Sequence, residues 1–452
     1  MPEAPFYCFR GTSRLRSTAM SSQHPHSEKS VYQYAFVIGS GFFTVALIEP
    51  MYSAYVPLML ADFLDSSASI GGILSALTLI APLIIPVFAT LSDRTRTRIG
   101  KRMPYIVSFL PLAAVSLAAV PVAAHFSLAW LVAALAVTNL FRHAARGPVV
   151  SLMPDLIPSH QRSQANGVIN TMGGLASLTA TGFLAPLIVY SVAIPGVGRV
   201  PRALPFFVTA VLIVASTIFV FTKVREPRSA SDAASRRKRK SLLPELMAVA
   251  RRGRSGPFPV LAAVMLWFLG WRLVTPFVTT YARVTLGAGE GIAGLTFGMI
   301  AVSQTSFAIA GGIIAARFGR RRIMSWALAG LSVLGVAAFV NDIFASHSGY
   351  PALPLFWLLL IGLGIGWVTL ITNGLPVVWD HGSDDDIGLH TGLYYFVAQI
   401  SLVAGPGIGG TIIDVAGFSG LFLTFSSVMI AAFSMLRLQR KALSLNSAGD
   451  PT

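Results

Sequence analysis

This sequence is short of charge, and of acid most of all. Only 12% of its 452 residues are Asp, Glu, Lys or Arg, with 18 acids against 34 bases, whereas 54% are hydrophobic. A soluble domain carries roughly 25% charged residues, so a chain this apolar has too little polar surface to cover itself. A single cysteine, Cys8, excludes a disulfide framework and any cysteine-based metal site. There is no Walker sequence, no nucleophile–base arrangement and no metal-ligand cluster, so we expect neither an enzyme nor a cofactor. Alternating ten-residue segments of the outer-membrane barrel kind are also missing.

The sequence does have long apolar runs. Each is about 20 residues long, enough to cross a hydrocarbon core of roughly 30 Å, and backbone in lipid must bond internally as helix. We read twelve spans, near 32–60, 70–91, 104–124, 127–152, 163–190, 203–222, 257–282, 290–315, 322–341, 353–379, 389–413 and 418–437. The expected fold is an all-α membrane protein with two six-helix bundles, at 31–222 and 257–437. A basic linker, 223–256, joins them; it holds Arg236, Arg237, Lys238, Arg239 and Lys240 in a row and is expected to lie on anionic lipid headgroups. It lacks the interleaved aromatics of a nucleic-acid tract, so no nucleic-acid partner is expected. Residues 1–30 have no apolar core of the signal-peptide kind and are expected to be disordered, with Met20 as an alternative start. Residues 438–452 form a tail.

Alternate loops differ in charge. One set holds Arg94, Arg96, Arg98, Lys101, Arg102, Arg162, the linker, Arg317, Arg320, Arg321 and Arg322; the other holds only Arg199, Arg202 and Arg283. The positive-inside rule puts both termini in the cytoplasm of a multi-pass inner or plasma membrane protein. The halves also echo each other. Gly100 and Gly319 align at an offset of 219, and Ala165-Asn166-Gly167 aligns with His390-Thr391-Gly392 at 225. Such duplication is common in carriers, whose substrate sits near the midplane between the repeats.

These motifs carry a resemblance. Asp93-Arg94 followed by Gly100-Lys101-Arg102 resembles the loop motif of the major facilitator superfamily, with Gly312 to Arg321 as a degenerate second copy. Ala89 and Ala316 depart from that pattern, standing where the motif has Gly and Asp. The longer first copy resembles the branch of glycoside–pentoside–hexuronide:cation and sucrose:proton symporters. Tyr55-Val56-Pro57-Leu58, Met153 to Pro158, Ala165 to Asn170 and Thr391 to Phe396 agree with that branch. The resemblance implies a monomeric carrier coupled to a proton or sodium and moving a small solute, a sugar or glycoside. A proton-coupled exporter of drugs or metabolites is the alternative. It lacks support in span 5, because the run Gly405-Pro406-Gly407-Ile408-Gly409-Gly410 lies in span 11. A sensor that keeps the fold without transport is a third reading.

Ionisable groups inside a membrane usually face a cavity or a partner. Glu49 in span 1 and Arg272 in span 7 occupy nearly equivalent positions in the two halves. Glu49 is expected either to carry the coupling proton, with Arg272 or Arg142 holding it between turns, or to form a static pair that fixes packing. Asn139, Arg142, His143 and Arg146 share one face of span 4, spaced i, i+3, i+4 and i+7. They are expected to line a cavity, although Arg146 could snorkel and His143 could be a packing residue. Asn170, Asn373, Tyr394, Tyr395 and Gln399 are further substrate candidates, with helix packing as the alternative, and Trp271 and Trp367 are either stacking platforms or space-filling residues. The resemblance also implies that Asp93 and Arg94 help lock the cytoplasmic side against the start of span 11. Extending it, we expect a gate in which these, Gly100, Lys101 and Arg102, with Arg317, Gly319 and Arg320, meet the acids Asp384, Asp385 and Asp386; the alternative is loops that only set topology and bind headgroups.

Overall fold

A computed structural model of the chain describes residues 28–157, 162–224, 226, 258–345, 347, 349–379 and 387–448. The expected disordered start, most of the basic linker and Asp384, Asp385 and Asp386 lie outside these residues, as does the side chain of Asn170.

The first half begins with α1 (Glu28–Leu60), which tolerates Pro50 and Pro57. The second expected span is two helices, α2 (Ser67–Thr78) and α3 (Ile80–Arg94). Pro82 explains the break, since it has no N–H to bond the carbonyl of Thr78. Then come α4 (Met103–Phe126) and α5 (Leu128–Leu156), separated by Ser127, whose hydroxyl accepts from the Trp130 N–H at 3.4 Å. The fifth span is not continuous α-helix. After α6 (Arg162–Leu178) it passes through a π turn, Thr179–Phe183, and a 3-10 turn, Ala185–Val189. A short antiparallel hairpin follows, β1 (Val192–Ile194) with β2 (Gly198–Val200), and then α7 (Ala203–Lys223). This hairpin is a small departure from the all-α expectation; Pro195 and Gly196, with Gly196 at φ +79, turn the chain there.

The second half holds α8 (Phe258–Val274), a 3-10 turn at Thr275–Phe277, and α9 (Val278–Val284). It continues with α10 (Glu290–Phe318), α11 (Arg320–Phe344), α12 (Ala352–Trp379) and α13 (Ile387–Ala448). At 62 residues α13 is broken at Gly417, where φ is 67° and ψ is −174°. It also runs through most of the expected tail. Among the described residues, ten stretches are long and apolar enough to cross a membrane, one of them the 49-residue His390–Leu438.

One hydrophobic core runs through both halves. Within the first half, α1 packs on α6 and α7, and α4 on α5 and α7. Within the second, α8 and α11 pack on α13, and α10 on α12. Among the described residues the halves meet mainly along α2 against α13 and α6 with its π turn against α10, and α1 also touches the 3-10 turn at Thr275–Phe277, α9 and α10.

Candidate functional site

A cavity of about 320 Å³ lies between the halves. Helix α1 supplies Phe42, Glu49, Pro50 and Ser53; α5 supplies Arg146; α6 supplies Gly173 and Ser177. From the other half come Trp271, Arg272 and Thr275, with Phe297, Gln304 and Trp367. Pro50 lacks an amide proton, so the Ala46 carbonyl on this wall loses its usual helical donor.

Glu49 is the centre of the site. Its Oε2 accepts from Arg142 Nη2 at 2.8 Å, within its own half. Its Oε1 accepts from Arg272 Nη1 of the other half at 3.5 Å and from Ser53 Oγ at 3.4 Å. Arg142 is further held by the Tyr52 ring, 5.1 Å from its guanidinium carbon, and donates from Nε to His143 Nε2 at 3.3 Å. The Glu49 side chain remains 44% accessible, because it faces the cavity. Beside it the rings of Trp271 and Trp367 stack with centroids 4.2 Å apart and planes 8° off parallel. The wall therefore offers a carboxylate, guanidiniums, an amide, hydroxyls and an aromatic platform.

The two ends of the bundle differ. At the end away from the chain termini, Arg202 donates to Asp62 of its own half and, at 2.5 Å, to Glu290 of the other. Arg283 also reaches Glu290, at 3.3 Å, and lies 3.8 Å from Asp62. Burial opposes the charge on Arg202, but its bonds to Glu290 and Asp62 outweigh this and hold its pKa above the ordinary value. Nearby, Asp414 accepts from the backbone N–H groups of Ser67 and Ala68 at 2.8 and 3.0 Å and from Ser66 Oγ at 2.6 Å. An acid of α13 thus caps the N-terminus of α2 across the halves, where the helix dipole favours negative charge. The seam below is tight: a Cβ on Gly410 would lie 2.0 Å from the Ser67 carbonyl oxygen, and one on Gly71 2.1 Å from that of Pro406.

At the end near the termini, Arg102 binds Asp93 and, at 3.0 Å, Asp155, and Lys101 also lies 3.0 Å from Asp155. The carboxylate of Glu226 accepts from the N–H groups of Lys101, Arg102 and Met103 at 2.7, 3.0 and 2.8 Å. It caps α4. Gly100 makes room for it, at φ +115 and with a Cβ position 2.6 Å from Glu226 Cδ. Among the described residues, every ion pair at this end stays in the first half.

The profile of the Major Facilitator Superfamily matches residues 38–301 and 260–451. The chain belongs to this superfamily. Similar proteins include Siderophore iron transporter 2 of Schizosaccharomyces pombe, 24% identical over 148 residues, which are 32% of this chain and 24% of that one. The inner membrane transport protein YajR of Escherichia coli is 28% identical over 201 residues, 39% of this chain and 42% of that one. The chain thus spans less than half the length of each. Among solved structures, the nucleoside transporter NupG superposes with TM-score 0.66 at 13% identity, over 90% of this chain and 98% of that one. A bacterial homologue of the human lysosomal transporter Spinster, inward-facing and unoccupied, gives 0.62 at 15%, over 92% and 96%. At these identities the two show a shared fold.

Within this major facilitator fold, the structure gathers Glu49, Arg142, Arg146 and Arg272 at one place, and Trp271 with Trp367 beside them. His143 is buried behind Arg142. Asn139 and Asn373 do not line the cavity: each bonds a carbonyl one turn back, Leu135 and Thr369, at 2.9 Å. Tyr394 is buried against Phe268, while Tyr395 is 57% exposed, and neither they nor Gln399 line the cavity. Asp93, Lys101 and Arg102 form the cluster just described, with Gly100 at its turn. Arg94 ends α3, and Arg317, Gly319 and Arg320 stand at the α10–α11 turn. Sequence reasoning missed Gln304, whose signal is an amide inside an apolar run, and the far-end group Asp62, Arg202, Glu290 and Asp414. Their signal is acid beside the few bases of the sparse loop set.

Proposed function

We propose that this protein is a secondary active carrier that works by alternating access and couples a proton to uptake of a ring-bearing polar solute, a sugar or glycoside. The observation that carries the reading is Glu49, gripped at the cavity wall by Arg142 of its own half and Arg272 of the other. A carboxylate bonded across the halves changes partners when the halves rock, and an ionisable group so placed in a membrane is a natural proton carrier. The Trp271–Trp367 pair and the hydroxyls and amide around it suit a sugar ring. The likeness of Asp93 to Arg102 to the sugar-symporter branch supports the same class.

The full architecture follows the same reading. The break of α13 at Gly417, together with α10, brings the spans to twelve in two bundles. The arginine-rich loops then face the cytoplasm with both termini, in the inner or plasma membrane. The end closed by Arg202 and Asp414 is extracytoplasmic, so this is an inward-facing form.

Proteoliposomes test it. Adding a panel of sugars and glycosides outside, neutral and acidic, should alkalinise the medium with at least one of its members. E49Q should abolish uphill accumulation yet keep downhill exchange. Uphill accumulation at the wild-type level in E49Q would overturn the proton role.

A further inference from the structure

The charge balance of the cavity reaches further, resting on the carrier reading. At the level of Glu49 the described ionisable groups are Arg142, Arg146 and Arg272, with His143 behind Arg142 and the phenols Tyr52 and Tyr395. One carboxylate faces three guanidiniums. Only Arg142 is held closely by Glu49; Arg272 is at 3.5 Å. Arg272 and Arg142 are each 8% exposed, and Nε of Arg272 and Nη1 of Arg142 find no acceptor among the described residues. Arg146 makes no ion pair among the described residues and opens onto the cavity. Arg142 and Arg272, withdrawn from bulk water, are costly unless an anion faces them, whereas Arg146 stands exposed on the open cavity. Two positive charges are therefore left over in a space of about 320 Å³ beside an aromatic stack.

We infer that the solute is an organic anion: a flat or sugar-like ring against Trp271 and Trp367, with its carboxylate or phosphate between Arg146 and Arg272. Guanidinium and oxyanion match in planar, bidentate geometry. Glu49 is then the placeholder. In the empty cavity its Oε1 faces Arg272; the arriving oxyanion takes that guanidinium and leaves Glu49 with Arg142 alone, so that Oε1 can accept the coupling proton. Proton and anion cross together, which reduces the net charge moved through the membrane.

Matched pairs test this on the purified full chain. Phenyl glucoside is compared with its uronic acid counterpart, and glucose with glucose 6-phosphate. Binding is read by tryptophan fluorescence and by thermal shift, and flux by counterflow in proteoliposomes. The charged member of one pair should bind at least about tenfold tighter than the neutral one, as a charge-assisted bond to a buried partner implies. The pair that responds tells carboxylate from phosphate. R146Q should remove most of that preference and R146K should keep part of it, since Lys retains the charge but not the fork, while the melting curves of both report folding. Equal or tighter binding of the neutral members, or a preference intact in R146Q, overturns the anion. If neutral glycosides nevertheless drive proton flux, the carrier reading survives and the anion assignment alone falls. No flux with any member overturns both.

Discussion

At the far end of the bundle acid and base meet across the two halves; at the near end, among the described residues, the ion pairs meet within one. Arg202 and Arg283 share Asp62 and Glu290, and Asp414 of α13 sits on the start of α2. In the proposed carrier cycle those bonds break when the far end opens. The Arg102–Asp93–Asp155 cluster and the Glu226 cap join α3, α4, α5 and the residue after α7. They can persist while the halves rock. Each partly exposed ion pair is worth only about 0–1 kcal/mol, but two states need differ by little for one to dominate. Rigid clusters near the termini and breakable contacts far from them suit a half that moves as a body.

The seam between α2 and α13 should give the largest effect. Gly410 and Gly71 meet opposing backbone carbonyls at distances no Cβ tolerates. Overpacking costs about 1–3 kcal/mol, and tenfold in a ratio is about 1.4 kcal/mol. G410V should therefore raise the far-end-open population by about five- to a hundredfold. The check is labelling of S177C, in a C8S background, by an impermeant reagent applied from the far side. Unchanged labelling would mean that this seam is not part of the closure.

A smaller shift is expected from Arg202. It is the only non-glycine residue at positive φ among the described residues, at 58°. R202G removes the charge without straining the turn. Losing its two carboxylate partners should move the same ratio about fivefold, by the usual worth of such pairs, and raised salt should mimic it in the wild type. D414N should do less. A carboxylate at a helix N-terminus contributes about 0.3–1 kcal/mol, so about two- to fivefold is expected, with no salt mimicry beyond that.

Much of this was legible in the sequence, for identifiable reasons. Long apolar runs and clustered loop arginines mark the spans and the duplication. Glu49 and Arg272 stand out because charge inside an apolar run is costly, and the repeat puts them at nearly equivalent depths in the two halves. Asn139 and Asn373 looked equally exceptional, yet an amide in a helix can satisfy itself on the carbonyl one turn back. Asp62, Glu290 and Asp414 could not be ranked from sequence, because each resembles an ordinary loop or helix-end acid until the docking of the halves gives it a partner. Glu226 was hidden by the basic linker behind it. The π turn depends on packing that hydropathy does not record, whereas the break at Gly417 falls between the spans read at 389–413 and 418–437 and the one before Pro82 follows from a missing N–H.

The smallest expected effect tests the comparison most directly. Glu226 accepts three N–H groups of the first turn of α4, and its fit depends on Gly100. E226Q keeps an acceptor oxygen but removes the charge from the helix N-terminus, a loss of about 0.3–1 kcal/mol. The protein should melt slightly lower, because α4 is capped less well. The far-side labelling of S177C should stay within about twofold of wild type, since both partners move with the same half and the cap contributes equally to either state. If E226Q shifted the labelling as far as D414N does, the near-end cluster would differ between the two states. It would then be a gate in its own right, and the contrast between the ends would fail.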